Sequence, residues 1–242
     1  MSVPDNSTGK IENRFLAVLP SKVYKRLAAR MDRVRLRFGS VLYEPGDPLK
    51  YAYFPNDSII SLLSTVEDRS TLEVGIIGNE GVVGVSALLG VRASPNRALV
   101  QGAGSAMRMK TATLLKEARA DDSLQKLLNR QIHALMTQIS QSAACNRFHR
   151  VDARLARWLL MTRDRTGSDE FRLTHDFLSD MLGVRRVGVT NSATVLQRKK
   201  LIKYSRGHIT ILDRAGLKAV ACPCYSIVKK EYDSFLGVQA PR

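Results

Sequence analysis

The sequence predicts an α+β chain in three parts: an N-terminal sandwich, roll or barrel of short strands, a long helix, and a small C-terminal domain of short helices closed by a β-hairpin. Three observations predict it. From Val34 to Met109, short runs rich in Val, Ile, Leu, Tyr and Phe alternate with turn residues. From Lys110 to about Phe148 there is neither Pro nor Gly, and from Leu173 to Leu212 short helical patterns give way to two apolar runs around Ser205-Arg206-Gly207. Period and punctuation of this kind separate strands from helices.

The chain begins with a helical pattern over residues 11–33, in which Phe15, Leu19, Val23 and Leu27 recur every four residues, and Pro20-Ser21 divides it into two short helices. The strands that follow are separated by Phe38-Gly39-Ser40, Glu44-Pro45-Gly46-Asp47, Pro55-Asn56-Asp57, Ile77-Gly78-Asn79-Glu80-Gly81 and Gly102-Ala103-Gly104. Regularly spaced short strands indicate a sandwich, roll or barrel.

In the long helix, Leu124, Leu128, Ile132, Leu135, Ile139, Ser142 and Asn146 are separated by four, four, three, four, three and four residues, which places them in one seam. Such a stripe fits a core helix lying on the β domain. The polar remainder, with Gln125, Gln131, Gln138 and Gln141, and the change to Ser142 and Asn146 favour a two-helix contact between subunits instead. The predicted dimer seam is Leu128, Ile132, Leu135, Ile139 and Ser142.

The 242 residues carry 38 Lys plus Arg against 22 Asp plus Glu, a formal charge of +16 and a pI near 10.2. Divided between Ala143 and Ala144, 19 basic and 13 acidic residues give +6 on the N-terminal side, and 19 basic and 9 acidic give +10 on the shorter C-terminal side. That excess points to a polyanionic partner. Met1 to Lys10 holds Pro4, Asp5, Asn6 and Gly9 where a signal peptide needs an apolar run, and no later run is long enough to span a bilayer. Three cysteines, Cys145, Cys222 and Cys224, make no disulfide framework. A cytoplasmic protein without a membrane partner is expected.

The C-terminal segment is the most specific. Thr174 is a good N-cap, Asp176 favours the positive end of the helix dipole, and Phe177, Leu178, Met181 and Leu182 form the inner face of a first helix. Gly183 supplies a left-handed turn, and a second helix from about Arg185 turns Val189, Ala193 and Leu196 inward. Arg185, Arg186, Thr190, Asn191 and Thr194 then face outward. Two helices about a glycine, the second of them basic, make a helix-turn-helix. Arg198-Lys199-Lys200 and the hairpin Leu201–Tyr204 with His208–Leu212 add a wing with Arg206 at its tip. Double-stranded DNA is the predicted partner.

This order of parts resembles the Crp/Fnr family of bacterial transcription regulators over roughly Phe15 to Leu217, through Gly39–Asp47, Gly78–Gly84 and Leu173–Leu212. The resemblance implies a cyclic-nucleotide-binding-like β-roll, jelly-roll-like, over 11–118, a dimerisation helix over 119–148, a winged helix-turn-helix over 149–220 and a tail over 221–242. It implies a homodimer, with RNA polymerase as a further partner. It also sets Arg186, Val187 and Asn191 at base-facing positions, with Thr190 beside them. Arg186 matches the family's frequent Arg, whose fork suits guanine O6 and N7. Val187 replaces a frequent Glu and Asn191 a frequent Arg, so the family's best-known half-site is not carried over. Thr174, His175, Arg185, Lys199 and Arg206 fall at backbone-contacting positions; for His175 a merely solvent-exposed ring is the alternative.

In the β-roll, the family's nucleotide-binding members use a Glu for the ribose and an Arg-Ser pair for the cyclic phosphate. Here the corresponding residues are Gly84, Val85 and Ser86, then Asn96 and Arg97, so the pocket is degenerate unless Arg97 has taken the phosphate role. No cofactor is predicted and the effector is left open. No metal is predicted either, since no cysteines stand in the N-terminal region for a cluster, and Cys222-Pro-Cys224 has no second pair to complete four ligands. His133, His149, His175 and His208 are scattered and form no catalytic set, so the chain is not expected to be an enzyme. A cyclic-nucleotide-dependent regulator of the same architecture is the runner-up, and a basic ligand-binding adaptor that does not bind DNA comes third.

Overall fold

The computed structural model describes residues 11–65 and 71–237. The chain divides into two compact units: Met1–Leu62, Ile76–Thr137 and Lys230–Arg242 form the first, and Leu63–Gly75 with Gln138–Lys229 the second.

The first unit starts at Asn13, whose side chain is fully buried. Its Oδ1 accepts from the Leu16 amide (3.0 Å), capping helix α1 (Arg14–Ala17), while its Nδ2 donates to the carbonyls of Pro55 (2.7 Å) and Gly81 (3.2 Å). Four residues cannot hold a helix alone, so α1 depends on this cap and on the burial of Phe15 and Leu16. Helix α2 (Ser21–Ala28) follows Pro20 and buries Val23 and Leu27. The helical pattern expected to reach residue 33 stops at Ala28, because Asp32–Leu36 is strand β1.

Two antiparallel sheets make the roll. The first has the order β1-β7-β3, with β3 at Tyr51–Pro55 and β7 at Gly104–Lys110. Its register sets Asp32 opposite Arg108 on one edge of β7 and Tyr53 opposite the same residue on the other. The second has the order β2-β6-β4-β5, from β2 (Val41–Tyr43), β6 (Arg97–Gly102), β4 (Ile59–Thr65) and β5 (Thr71–Ile77). Strands of both sheets contribute fully buried side chains, among them Ala52, Phe54, Ile60, Val100 and Ala106.

The helical stretch after the roll is two helices, α3 (Thr111–Ala120) and α4 (Asp122–Phe148), where the sequence suggested one. Asp121 causes the break. Its backbone is extended, and its Oδ1 accepts from the amides of Ser123 (3.1 Å) and Leu124 (3.2 Å), which restarts the helix. Its Oδ2 accepts from Arg26 (3.0 Å). The bonds from Ser123 and then Arg26 hold the carboxyl down at about 2.

The buried face of α4 is Leu124, Leu128, Gln131, Ala134, Gln138, Ser142 and Cys145. Two residues assigned to the dimer seam, Leu128 and Ser142, are therefore covered by their own chain. The glutamines are the reason. Gln131 donates to the Val82 carbonyl (2.8 Å) and Gln138 accepts from Arg165 (3.1 Å), so residues read as favouring a contact between subunits satisfy buried polar groups of their own chain. Ile132, Leu135 and Ile139 remain half-buried on the adjoining face, with Met136 61% exposed beside them.

In the second unit, α5 (Val151–Thr166) is buried along most of its length and ends at Gly167. Strand β8 (Glu170–Arg172), unmarked in the sequence pattern, joins β9 (Ile202–Ser205) and β10 (His208–Ile211) in the order β8-β10-β9. Helices α6 (His175–Leu182) and α7 (Arg186–Arg198) precede this hairpin, and α8 (Arg214–Val220) and α9 (Cys224–Phe235) follow it. No helix among the described residues is long and apolar enough to cross a membrane.

Asn13→Ala should destabilise the chain by about 2 kcal/mol, through loss of the cap and of two buried bonds. Asn13→Asp, which keeps the cap but sets a carboxylate oxygen against the Pro55 and Gly81 carbonyls, should cost at least as much. Urea unfolding followed by circular dichroism measures both.

Candidate nucleic-acid interface

Helix α6 is capped as its sequence indicates. Thr174 Oγ1 accepts from the Phe177 amide (3.2 Å), and Leu178, Met181 and Leu182 are buried, with Phe177 only half-buried. At its end Gly183 takes φ +59°, the Gly183 amide bonds to the Asp180 carbonyl (3.3 Å) and the Val184 amide to that of Ser179 (3.0 Å). This pair of bonds is a Schellman turn, which requires a left-handed residue and so favours glycine. The chain leaves it directly into α7, whose Val189, Ser192, Ala193 and Leu196 are buried.

Arg185, Arg186, Val187, Thr190 and Asn191 are exposed along the start of α7, and Thr194 is half-buried. Two of them are braced from behind. Arg186 Nε lies 3.3 Å from Asp176 Oδ1 at the start of α6, an exposed pair worth at most about 1 kcal/mol. Thr190 Oγ1 donates to the Arg186 carbonyl (3.1 Å) and lies 3.0 Å from His175 Nδ1. The His175 ring in turn stacks on Tyr204 of β9, with centroids 4.4 Å apart and planes 20° from parallel. His175 is therefore a half-buried brace between α6, α7 and the hairpin, not a free surface ring. Burial, and then the nearby Arg186 charge, lowers its pKa.

The hairpin tip is the two-residue turn Arg206-Gly207, with φ +49° and +78°, between Ser205 and its partner His208. Tyr204 fastens the hairpin: its amide donates to Gln197 Oε1 of α7 (2.9 Å) and its hydroxyl to the Leu173 carbonyl (3.1 Å). Lys199, Lys200 and Arg206 are exposed. Among the described residues, Arg185, Lys199, Lys200 and Arg206 form no ion pair. In the first unit, by contrast, Arg26, Arg30, Arg33, Arg97 and Arg108 are each paired with a carboxylate. Thus the solvated cations that can meet phosphate without breaking an internal pair include those flanking α7 and the hairpin tip.

The five degenerate-pocket positions lie in the first unit. Gly84 precedes a short 3-10 turn at Val85–Leu89, Val85 is buried and Ser86 half-buried. The Asn96 amide donates to Ser94 Oγ (3.2 Å), and Arg97 pairs with Glu44 (3.0 Å) of the Gly39–Asp47 segment. A groove in this unit is lined by Lys50, Leu88, Arg92, Leu115, Arg119 and Gln125 among others, and by none of those five.

One constellation escapes the sequence pattern. Cys222 and Cys224 do acquire a second pair, Cys145 and His149, and the four ligand atoms lie within 4.8 Å of one another. The i, i+4 spacing of Cys145 and His149 is a metal-ligand signal on a helix, but it lies more than 70 residues from its partners. Cys145 is pulled below the ordinary thiol range, first by its bond with Cys222, despite burial, and also by Arg157.

Residues 153–220 match the Crp-like helix-turn-helix domain family. No curated protein matches the sequence. Solved structures similar in fold include FixK2 from Bradyrhizobium japonicum, with a TM-score of 0.68 at 15% identity over 79% of this chain and 98% of that one. The CRP-family regulator TTHB099 from Thermus thermophilus gives a TM-score of 0.65 at 19% identity, covering 78% and 96%. The c-di-GMP-responsive global regulator CLP from Xanthomonas campestris gives 0.64 at 16%, covering 80% and 100%.

A Cβ placed on Gly188 in the first turn of α7 would meet only Val184, at 3.9 Å. Gly188→Ala should therefore raise stability by up to about 1 kcal/mol, because alanine loses less backbone entropy in a helix. A higher melting temperature checks this.

Proposed function

We propose that this chain, a member of the Crp/Fnr family, is a homodimeric, sequence-specific DNA-binding regulator of transcription, with RNA polymerase as its further partner. The observation that carries the reading is the outer face of α7. Its exposed Arg186, Val187, Thr190 and Asn191 share a face that the His175 and Tyr204 brace supports through Thr190, and unpaired cations flank it. A helix presented this way enters the major groove and reads base edges, while phosphate contacts set its register.

In this reading Arg186, Val187, Thr190 and Asn191 meet bases, and Arg185, Lys199 and Arg206 meet phosphates. Thr174 and His175 lie at the start of α6, where the first helix crosses the backbone. Thr174 spends its hydroxyl oxygen on the cap, and His175 acts chiefly by holding Thr190. The working parts are a sensor over 11–118, a dimer helix over 119–148, a reading domain over 149–220 and a tail over 221–242. The dimer contact uses Ile132, Leu135 and Ile139 with Met136, the half-buried to exposed apolar face of α4, and not Leu128 or Ser142.

The β-roll does not take cyclic AMP or cyclic GMP in the family's manner. Val85 offers no acceptor to a ribose, and Arg97 is engaged by Glu44. Nucleotide at a hundred times a real dissociation constant would add about 2.7 kcal/mol to stability. No saturable rise in melting temperature is expected with either nucleotide; such a rise would favour the cyclic-nucleotide-dependent regulator instead.

Two further outcomes test the reading. Arg186→Ala should cost about 1–3 kcal/mol on the preferred site and relax one base pair in each half-site. Arg206→Ala and Lys199→Ala should weaken all sequences alike and flatten the salt dependence. Binding curves on single-base variants, from a site selected out of random DNA, separate reader from anchor. Leu135→Glu with Ile139→Glu should give monomers in sedimentation, since two like charges would be buried unpaired in the helix contact. A dimer that survives both changes places the contact elsewhere.

A further inference from the structure

Cys145 and His149 stand one turn apart, at the end of α4 and just beyond it, with the His149 amide still bonded to the Cys145 carbonyl (3.1 Å). Cys222 and Cys224 flank Pro223 where α8 gives way to α9, and the Cys222 amide is tied to the Ala153 carbonyl (3.4 Å). These three points of one unit converge. Cys145 Sγ lies 3.4 Å from Cys222 Sγ, and Cys224 Sγ lies 3.6 Å from His149 Nδ1. All four ligand atoms fall within 4.8 Å of one another.

We propose that Cys145, His149, Cys222 and Cys224 bind one tetrahedral zinc ion. Zn–S bonds of ~2.3 Å set tetrahedral sulfurs about 3.8 Å apart, and the shorter Zn–N bond brings a histidine nitrogen slightly closer, so the Cys145–Cys222 and Cys224–His149 spacings need adjust by only tenths of an ångström and the widest of the others by about 1 Å. The donor set of three thiolates and one imidazole suits a soft, borderline metal without open positions, as in a structural site. An iron–sulfur cluster would spread its ligands over several irons, further apart than one ion requires.

A second observation points the same way. Arg154 and Arg157 are buried, at 7% and 9% exposure, and among the described residues neither forms an ion pair with a carboxylate. The Nε atoms of both are buried without a hydrogen-bond partner. Both guanidiniums interact electrostatically with the thiol cluster, Arg157 with all three cysteines and Arg154 with Cys145 and Cys222. Two buried cations call for a counter-charge. Zinc held by three thiolates and a neutral histidine carries a net charge of −1 and supplies one. His149 is the half-buried ligand and marks the side from which the ion enters. Binding fastens the end of α4 and the entry to α5 to the loop between α8 and α9, and releases the thiol protons it displaces.

The test uses the full chain, expressed and purified with reductant and without chelator. One zinc per chain is expected by elemental analysis. Cobalt(II) taken up in its place should show the strong visible bands of a tetrahedral site and thiolate-to-metal charge transfer. Native protein should protect all three thiols from a thiol reagent until a chelator is added. Cys145→Ser, Cys222→Ser and Cys224→Ser should each weaken cobalt affinity by more than about 100-fold, beyond what loss of a supporting residue costs. Gln141→Ala, one turn from Cys145 and outside the set, should leave it unchanged. The proposal is overturned if wild-type protein supplied with zinc under reductant retains none and its three thiols react at one rate with or without chelator. It is equally overturned if the cysteine variants bind cobalt as wild type does. None of these readouts depends on DNA, so the site and the proposed regulator stand or fall separately.

Discussion

The second unit depends on the burial of Arg154. This residue sits in the first turn of α5 at 7% exposure, and a guanidinium so placed must spend its donors on fixed acceptors. One goes to Asn146 Oδ1 on α4 (2.7 Å) and another to the Leu182 carbonyl at the end of α6. That carbonyl is among the last of α6, a group a helix leaves unsatisfied at its end. A single side chain therefore anchors the helix-turn-helix at its turn and ties it to the long helix. Arg157 to Ser142 and Arg165 to Gln138 repeat the device one and three turns along α5. Burial pushes the pKa of Arg154 down, but an arginine stays charged through such a shift, so its two neutral acceptors meet only part of the cost of its desolvation.

This arrangement also explains what the sequence makes legible. The helix-turn-helix is readable because each of its signals is local: Thr174 caps, Gly183 turns left-handed, and Val189, Ala193 and Leu196 keep helical spacing. The hairpin is readable from two apolar runs about Ser205-Arg206-Gly207. The neighbouring strand β8 is not, since Glu170-Phe171-Arg172 is too short to show a period and exists only through its pairing with β10.

The long helix shows the opposite case. Its apolar residues read as one seam, yet Leu128 belongs to the face that packs on its own chain while Ile132, Leu135 and Ile139 adjoin that face. Periodicity cannot separate two adjacent faces when both carry aliphatic side chains. The glutamines mislead for a related reason: Gln131 and Gln138 look solvated by type, and only the positions of Val82 and Arg165 in space make them interior. Likewise Asp121 reads as an ordinary charge within a helix until Ser123, Leu124 and Arg26 turn it into a cap.

The residues with most chemistry are the least legible, because chemistry needs groups brought together from distant stretches. Cys222-Pro-Cys224 is incomplete until the fold delivers Cys145 and His149, and the reason it delivers them is structural before it is chemical. Ala153 in the first turn of α5 accepts from the Cys222 amide, and the same turn carries Arg154, which holds α4 through Asn146. The thiols thus collect around the same short segment that anchors the helix-turn-helix. Stiffness at that segment bears directly on α7, because the Leu182 carbonyl held by Arg154 immediately precedes Gly183, and the left-handed turn there sets the direction in which the exposed face of α7 points.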